Sequence, residues 1–371
     1  MEKMTATRLL NETLRIREGQ GAEAAYRFVQ EQSVRGGERL NGQGVSEVGN
    51  APDFITESTV PDARKSNLLY ALAAASGHTD EALKLLRKAV MDDGFWYPAD
   101  YLLEDEDLEP LRGMDGFAEL ADLCAKREEA ALGNAAPGLV VLGGENGEAA
   151  GVQAGEPGQD GGEAASVQAD KRLAAAARPL LLALHGDQEN ERDSAPFWGT
   201  ASRAGWTVGL VRSSQMRFSD AYGWDDIDLG AAELREHLET IRGAASNEEE
   251  APVVLGAFSA GAEVALNALL HDELPAEGLV LVSPWLAEPG EWAEALGRLE
   301  GRTPRVVLLV GTEDSEGCEA AEALMEAMQE AELEFRLEML PGMGHDYPAD
   351  FAPRLEAALV WIAQDTSAYS D

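Results

Sequence analysis

Positive charge is scarce in this chain. Twenty-nine Lys and Arg stand against 68 Asp and Glu, a formal net charge of −39 over 371 residues, with an isoelectric point near 4.3. No basic footprint exists to neutralise phosphates, so nucleic acid and anionic membrane surfaces are excluded as partners. Cysteine is almost missing: Cys124 and Cys318 lie far apart and without metal-ligand spacing. Free thiols in a reducing compartment are expected, with one structural disulfide as the alternative. No apolar run reaches membrane-spanning length, and the opening MEKMTATRLLNETLRIREG lacks the apolar core of a signal peptide. The chain therefore reads as soluble and cytoplasmic. Also missing are G-x-x-x-x-G-K-[ST], H-E-x-x-H and any C-x-x-C pair. Neither a cofactor nor a metal is expected.

A hydrophobic content of 45% is that of a globular protein, and the length suits one large domain plus a smaller one. Residues 1–133 read as helical. Leu9, Leu10, Leu14 and Ile16 recur at near-helical spacing over Thr5 to Arg17, and Ala25, Phe28 and Val29 do so over Ala22 to Gln32. Residues 34–53 are rich in Gly and Asn and read as an exposed loop. A clearer helical pair follows, Ser66 to Ser76 and Glu81 to Met91, joined by Gly77-His78-Thr79-Asp80, a turn with N-cap chemistry. The pattern A-x-x-x-G-x-x-D-E-A-L-x-x-L-x-x-A-V resembles a tetratricopeptide hairpin, which implies a surface for a protein or peptide partner. Only one good unit is visible where such arrays need about three, so a helical domain that packs on its neighbour is the plainer reading.

Residues 134–178 hold a first strand, Gly138 to Leu142, and then Gly143 to Asp170, dominated by Gly, Ala, Glu and Gln with no aromatic residue. Such a stretch buries too little apolar surface to order itself and reads as a flexible insertion. It opens no helix, so it is not a dinucleotide fingerprint.

From 179 to 371 the pattern changes to buried-strand runs, each leading into polar residues. Pro179 to Leu184 ends in His185-Gly186-Asp187-Gln188-Glu189-Asn190. Trp206 to Val211 leads to Ser213–Gln215, and Val253 to Leu255 leads to Gly256-Ala257-Phe258-Ser259-Ala260-Gly261. Gly278 to Val282 precedes Ser283-Pro284-Trp285, Arg305 to Val310 precedes Gly311-Thr312-Glu313-Asp314, and Phe335 to Leu340 precedes Pro341-Gly342-Met343-Gly344-His345. Strand, small-residue turn around a serine, then helix is the context of a nucleophile elbow, written here as A-x-S-x-G. Serine, acid and histidine come in that order, each just beyond a strand's C-terminal end.

On these residues the region resembles the α/β-hydrolase superfamily, most closely its carboxylesterase and lysophospholipase-like members. The shared features are the LHG-xxx-N loop, the F-S-x-G elbow, the G-T-x-D turn and the P-G-x-x-H turn. The resemblance implies an α/β-hydrolase fold, a mostly parallel sheet flanked by helices, here with a small N-terminal all-α domain. It implies Ser259 as nucleophile, His345 as base and Asp314 as the acid that orients it, Glu313 being the neighbouring competitor. The oxyanion donors would be the N–H groups of Ala260 and Asp187. Asp187 departs from the neutral residue or glycine often found there. His185 and Gly186 are candidates for the substrate pocket, local shaping of the loop being the other reading of His185. Gln215, Trp224 and Trp285 are pocket candidates, with helix anchoring as the other reading of Trp224. His237 and His271 read as surface or capping residues. The activity implied is hydrolysis of a small acyl ester or lysophospholipid-like substrate. A thioesterase, a peptidase and a non-catalytic partner-binding scaffold are the alternatives.

Overall fold

The computed structural model describes residues 5–38, 62–143, 149–150, 178–244, 251–271, 274–297 and 304–364. The expected loop at 34–53 falls mostly outside this set, as does the 143–170 insertion apart from Gly143 and a two-residue strand at Ala149–Ala150. The described residues divide into two compact units, Met1–Ala135 with Met216–Tyr222, and Ala136–Gln215 with Gly223–Asp371.

The first unit is helical. Helices α1 (Ala6–Gln20) and α2 (Ala22–Glu38) meet at Gly21, whose φ of 88° lets the chain turn back at once. Thr5 caps α1 by accepting the Arg8 N–H. Helix α3 (Ala63–Ala75) is capped by Asp62, which accepts from the Arg64 and Lys65 N–H groups. The turn before α4 (Thr79–Arg87) differs from expectation: His78 holds the N-cap position without a side-chain bond, its Nε2 lying instead 2.7 Å from Glu23 Oε2. Helix α4 ends in a π turn over Lys88–Asp92, and Phe95-Trp96-Tyr97 then run into the core. Short α5 (Ala99–Glu104) and long α6 (Phe117–Gly133) complete the helical set. The core gathers Tyr70, Leu86, Tyr97, Leu102, Leu108, Leu111, Phe117 and Leu120, all essentially without exposure.

One part of this unit comes from far along the sequence. Residues 216–222 form a hairpin of β5 (Met216–Phe218) and β6 (Ala221–Tyr222). Ser219 Oγ accepts the Trp96 N–H at 2.8 Å, the Ser219 N–H returns to Trp96 O, and the Phe218 ring lies 5.7 Å from that of Tyr97. Met216 and Phe218 pack against the helical core.

The second unit is a sheet in the order β10-β9-β8-β7-β3-β4-β1-β2. Its members are β1 (Gly138–Leu142), β2 (Ala149–Ala150), β3 (Leu180–Leu184), β4 (Thr207–Arg212), β7 (Val253–Phe258), β8 (Gly278–Val282), β9 (Arg305–Gly311) and β10 (Phe335–Leu340). All neighbours pair in parallel except β1 with β4 and β2 with β1. The inner strands are apolar throughout because both faces are covered. Side chains alternate between the faces. Leu180, Leu182 and Leu184 face one core with α8 (Ile227–Ala244), α9 (Gly261–Leu270), α10 (Pro289–Gly297) and α11 (Ser315–Glu330), while Leu181 and Ala183 face the other with α7 (Glu191–Trp198) and α12 (Phe351–Ile362). Both Cys124 and Cys318 are free thiols. Among the described residues no helix is long and apolar enough to cross a membrane, and no three His, Cys, Asp or Glu are grouped to hold a metal.

His237 corrects its expected surface placement. It lies on the inner side of α8, 7% exposed, and its Nε2 has no hydrogen-bond partner among the described residues. Burial first, then the Arg212 guanidinium, pulls the imidazole from 6.5 down to about 4. The folded state therefore favours neutral His237, and its contribution is complete above about pH 6.5 and lost as pH falls towards 4. We expect this residue to remove on the order of 3 kcal/mol of stability across that window. Urea denaturation at pH 7 and 4.5 should show a shallower pH dependence for His237→Leu than for wild type; equal slopes would contradict the assignment.

Candidate active site

Strand β7 delivers Ser259 one residue past its end, where the chain must turn at once into α9. The serine takes φ 53°, a left-handed conformation rare for a residue with a side chain, at a cost of roughly 1–3 kcal/mol. Neighbouring backbone holds it there. The Ser259 N–H donates to Val282 O at 3.1 Å, and its own carbonyl accepts the Trp285 N–H at 3.2 Å and the Ala262 N–H at 3.0 Å. The end of β8 and the loop after it thus grip the serine from both sides. The turn also explains its small neighbours. A Cβ at Gly261 would stand 2.7 Å from His185 O and 3.0 Å from Leu184 Cβ, whereas the methyl group of Ala257 is accommodated in full burial. Alanine in place of the usual glycine before the serine is sterically harmless here.

Ser259 is 7% exposed and its Oγ lies 2.8 Å from His345 Nε2. The opposite ring nitrogen, Nδ1, lies 2.9 Å from Asp314 Oδ2. Asp314 is 5% exposed and caps α11, its Oδ1 accepting the Gly317 N–H at 3.1 Å. Burial pushes its carboxyl up, but bonds from His345, Gly317 and Ser283 together with the His345 charge outweigh this and hold it below its usual value. Neighbouring Glu313 is exposed and makes no such contact; its N–H donates to Met343 O. The acid turn and the histidine turn are stitched together, since Thr312 Oγ1 accepts the Gly342 N–H at 3.0 Å and Thr312 N–H donates to Leu340 O. Beneath them Phe258, Tyr347 and Phe197 stack in sequence, with centroids 4.4 and 3.8 Å apart.

The N–H of Ala260 heads α9, where the helix dipole favours negative charge, and among the described residues it donates to no protein acceptor. Asp187 is exposed, in the turn that runs from Gly186 to Glu189. His185 has no exposure. Its ring stacks on Trp224 at 4.7 Å, Nδ1 lies 2.6 Å from Gly186 O, and Nε2 accepts the Ser213 N–H at 3.3 Å. Its role is to shape the loop.

One pocket candidate is corrected. Trp224 is 5% exposed, belongs to the core under α8 and α9, and donates its Nε1–H to His185 O at 2.9 Å. The anchoring alternative is the one observed. Gln215 has both ends of its amide engaged by Asp226, Nε2–H to the carbonyl at 2.9 Å and Oε1 from the N–H at 2.7 Å. Trp285 does reach solvent, 37% exposed, and is bonded through its backbone to the serine. Sequence reading missed Ser283, buried at φ 43° beside Asp314, and Glu189, a carboxylate buried behind the loop after β3. Neither has a motif. Their one signal is position, immediately after a strand end or within the HG loop.

Residues 46–132 match the family model described as A/B hydrolase-like, N-terminal domain, and residues 235–358 match the one described as Phospholipase/Carboxylesterase. The solved structure of an uncharacterized protein from Bacillus cereus is 30% identical, with 97% of this chain and 99% of that chain covered and a TM-score of 0.47. A Bacillus cereus carboxylesterase is 17% identical over 63% of this chain and 98% of its own, with a TM-score of 0.42. Esterase PE8 is 19% identical over 51% of this chain and 95% of its own, also with a TM-score of 0.42. No curated protein matches the sequence.

Proposed function

From a chain that belongs to the α/β-hydrolase superfamily, we infer a serine hydrolase that cleaves carboxylic esters through an acyl-enzyme on Ser259. One observation carries the reading: Ser259 Oγ, His345 and Asp314 form a continuous hydrogen-bonded line at 2.8 and 2.9 Å. A serine hydroxyl attacks poorly until a base takes its proton. With Nδ1–H donated to the Asp314 carboxylate, Nε2 carries the lone pair that accepts that proton. The lowered pKa of Asp314 supports this, because an acid that stays ionised also stabilises the imidazolium that forms.

Ser259 attacks the ester carbonyl carbon, and the carbonyl oxygen takes up the negative charge. The N–H groups of Ala260 and Asp187 stabilise that oxyanion. His345 gives the proton to the departing alkoxide, leaving the acyl group on Ser259. Water deprotonated by His345 then releases the acid and restores the serine. The segment before α10 is short, and the partly exposed Trp285 borders the serine, which suits a small acyl ester or lysophospholipid-like substrate in an open site.

The test is a p-nitrophenyl ester series from acetate to decanoate, run beside a fluorophosphonate probe. Hydrolysis with a chain-length optimum and a single covalent adduct on Ser259 are expected. Absence of both turnover and labelling would sink the reading.

A further inference from the structure

We propose that Glu189 is a positioning residue for the oxyanion donor, its buried carboxylate fixing the peptide between Gly186 and Asp187 so that the Asp187 N–H faces Ser259. The inference rests on the serine-hydrolase reading and deepens it. Glu189 is 4% exposed. Its Oε2 accepts the Gly186 N–H at 3.0 Å, and its own N–H donates to Gly186 O at 3.3 Å. One residue thus engages both polar groups of Gly186. The return turn requires φ 57° at Gln188, a left-handed position for a residue with a side chain.

The second hold on the same carbonyl comes from His185. Its Nε2 accepts the Ser213 N–H, so the ring proton sits on Nδ1, which faces Gly186 O at 2.6 Å. The peptide unit is planar and trans, so a carbonyl held on one side sends the following N–H to the other. That N–H belongs to Asp187. Only glycine fits at 186, because a Cβ there would meet the Phe258 ring at 2.8 Å and Glu189 Oε2 at 3.2 Å.

A buried carboxylate is an unfavourable choice beside a site where negative charge develops, unless its bonds are the reason for it. The Gly186 N–H and the N-terminus of α7 directly after Asn190 compensate for it. Burial first, and then the Glu189 carboxylate, push the Tyr347 hydroxyl well above its ordinary value, which places that negative charge close to the layer under His345. The geometry asks for an acceptor at this point rather than for a charge.

The experiment compares wild type, Glu189→Gln, Glu189→Ala and Glu189→Asp in the full chain on p-nitrophenyl butyrate. Thermal unfolding of each is recorded in parallel. Removal of an oxyanion donor costs about 10²- to 10³-fold in kcat, and a misaligned donor part of that. Glu189→Ala should therefore lose about 10- to 100-fold in kcat with KM changed less than about threefold. Glu189→Gln keeps an oxygen for the Gly186 N–H and should stay within about threefold of wild type, with the same pH profile of kcat/KM. Fluorophosphonate labelling rates should follow kcat.

A folded Glu189→Ala with unchanged kcat overturns the inference, as does a loss in KM alone. Equal losses in the Gln and Ala variants also overturn it, since they would make the charge the active feature. Where Glu189→Ala does not fold, Glu189→Asp decides: about a tenfold loss in kcat relative to Gln is expected from a carboxylate one methylene too short, and parity overturns. A wild type that neither hydrolyses the ester nor takes the probe removes the underlying reading. Active wild type with indifferent variants removes this inference alone.

Discussion

Ser259→Ala is expected to lower kcat on a p-nitrophenyl ester by about 10⁵- to 10⁶-fold while the protein stays folded. On the proposed reading Ser259, His345 and Asp314 act as one unit, the hydroxyl proton passing to His345 across their 2.8 Å contact. His345→Ala should therefore cost about as much, and the double variant little more than either single one. The proposed Ala260 and Asp187 donors would remain, so a residue of rate enhancement over water, about 10³- to 10⁴-fold, is expected in all three. Stability should barely move. Alanine at 259 keeps the left-handed φ of 53° and the clasp by Val282 and Trp285 while losing one hydroxyl. Steady-state rates, intact-mass analysis after fluorophosphonate treatment and thermal unfolding together decide it. A loss below about 100-fold would mean that another group attacks.

The second large effect comes from a residue with no chemistry. Gly311 ends β9 beside the turn that carries His345, and a Cβ there would stand 2.1 Å from Met343 O and 2.5 Å from Met343 C. The obstacle is backbone, so no side-chain rotation relieves it. Gly311→Ala is expected to cost on the order of 1–3 kcal/mol of stability, the usual range for overpacking a filled site. It should also cost activity beyond that, since a shift of about 1 Å in a catalytic group lowers rates by about 10²-fold. Gly344→Ala is the control. It lies closer in sequence to His345, yet a Cβ there meets nothing within 4 Å. Retained melting temperature and kcat in Gly344→Ala, with both reduced in Gly311→Ala, is the predicted contrast. A Gly311→Ala protein indistinguishable from wild type would show that the two turns are not in register as described.

The reach of the sequence follows from locality. Ser259, Asp314 and His345 stand just past strand ends, and a parallel sheet gathers such positions along one edge, so four short motifs in order carry the site. The exposure of Glu313 against the burial of Asp314 is likewise prefigured by the G-T-x-D spacing. What escapes is set by contacts between distant segments. Trp224 looks like any aromatic beside a site until α8 and α9 close over it and its indole finds His185 O. The segment ELREHLETI reads as a polar helix, yet one turn of it presents His237 inward to Arg212. Glu189 looks like a loop carboxylate until its side chain turns back on Gly186. Residues 216–222 are too short for a periodicity to register, and their partners, Trp96 and Tyr97, lie 123 and 121 positions away for Ser219 and Phe218 respectively (219 − 96 and 218 − 97).

That hairpin has a consequence for biosynthesis. The helical unit is discontinuous: the residues up to Ala135 are synthesised before Met216–Tyr222, whose turn residue Ser219 bonds Trp96 and whose Met216 and Phe218 pack on the helical core. Tyr222 is added 87 residues after Ala135 (222 − 135), which at 5–20 residues per second is a delay of about 4 to 17 s. Through that interval Trp96 lacks its bonds to Ser219 while β1 to β4 are being made. The helical segment up to Ala135 is therefore made before it can finish folding, and a fragment cut after Ala135 would lack its contacts with residues 216–222 permanently.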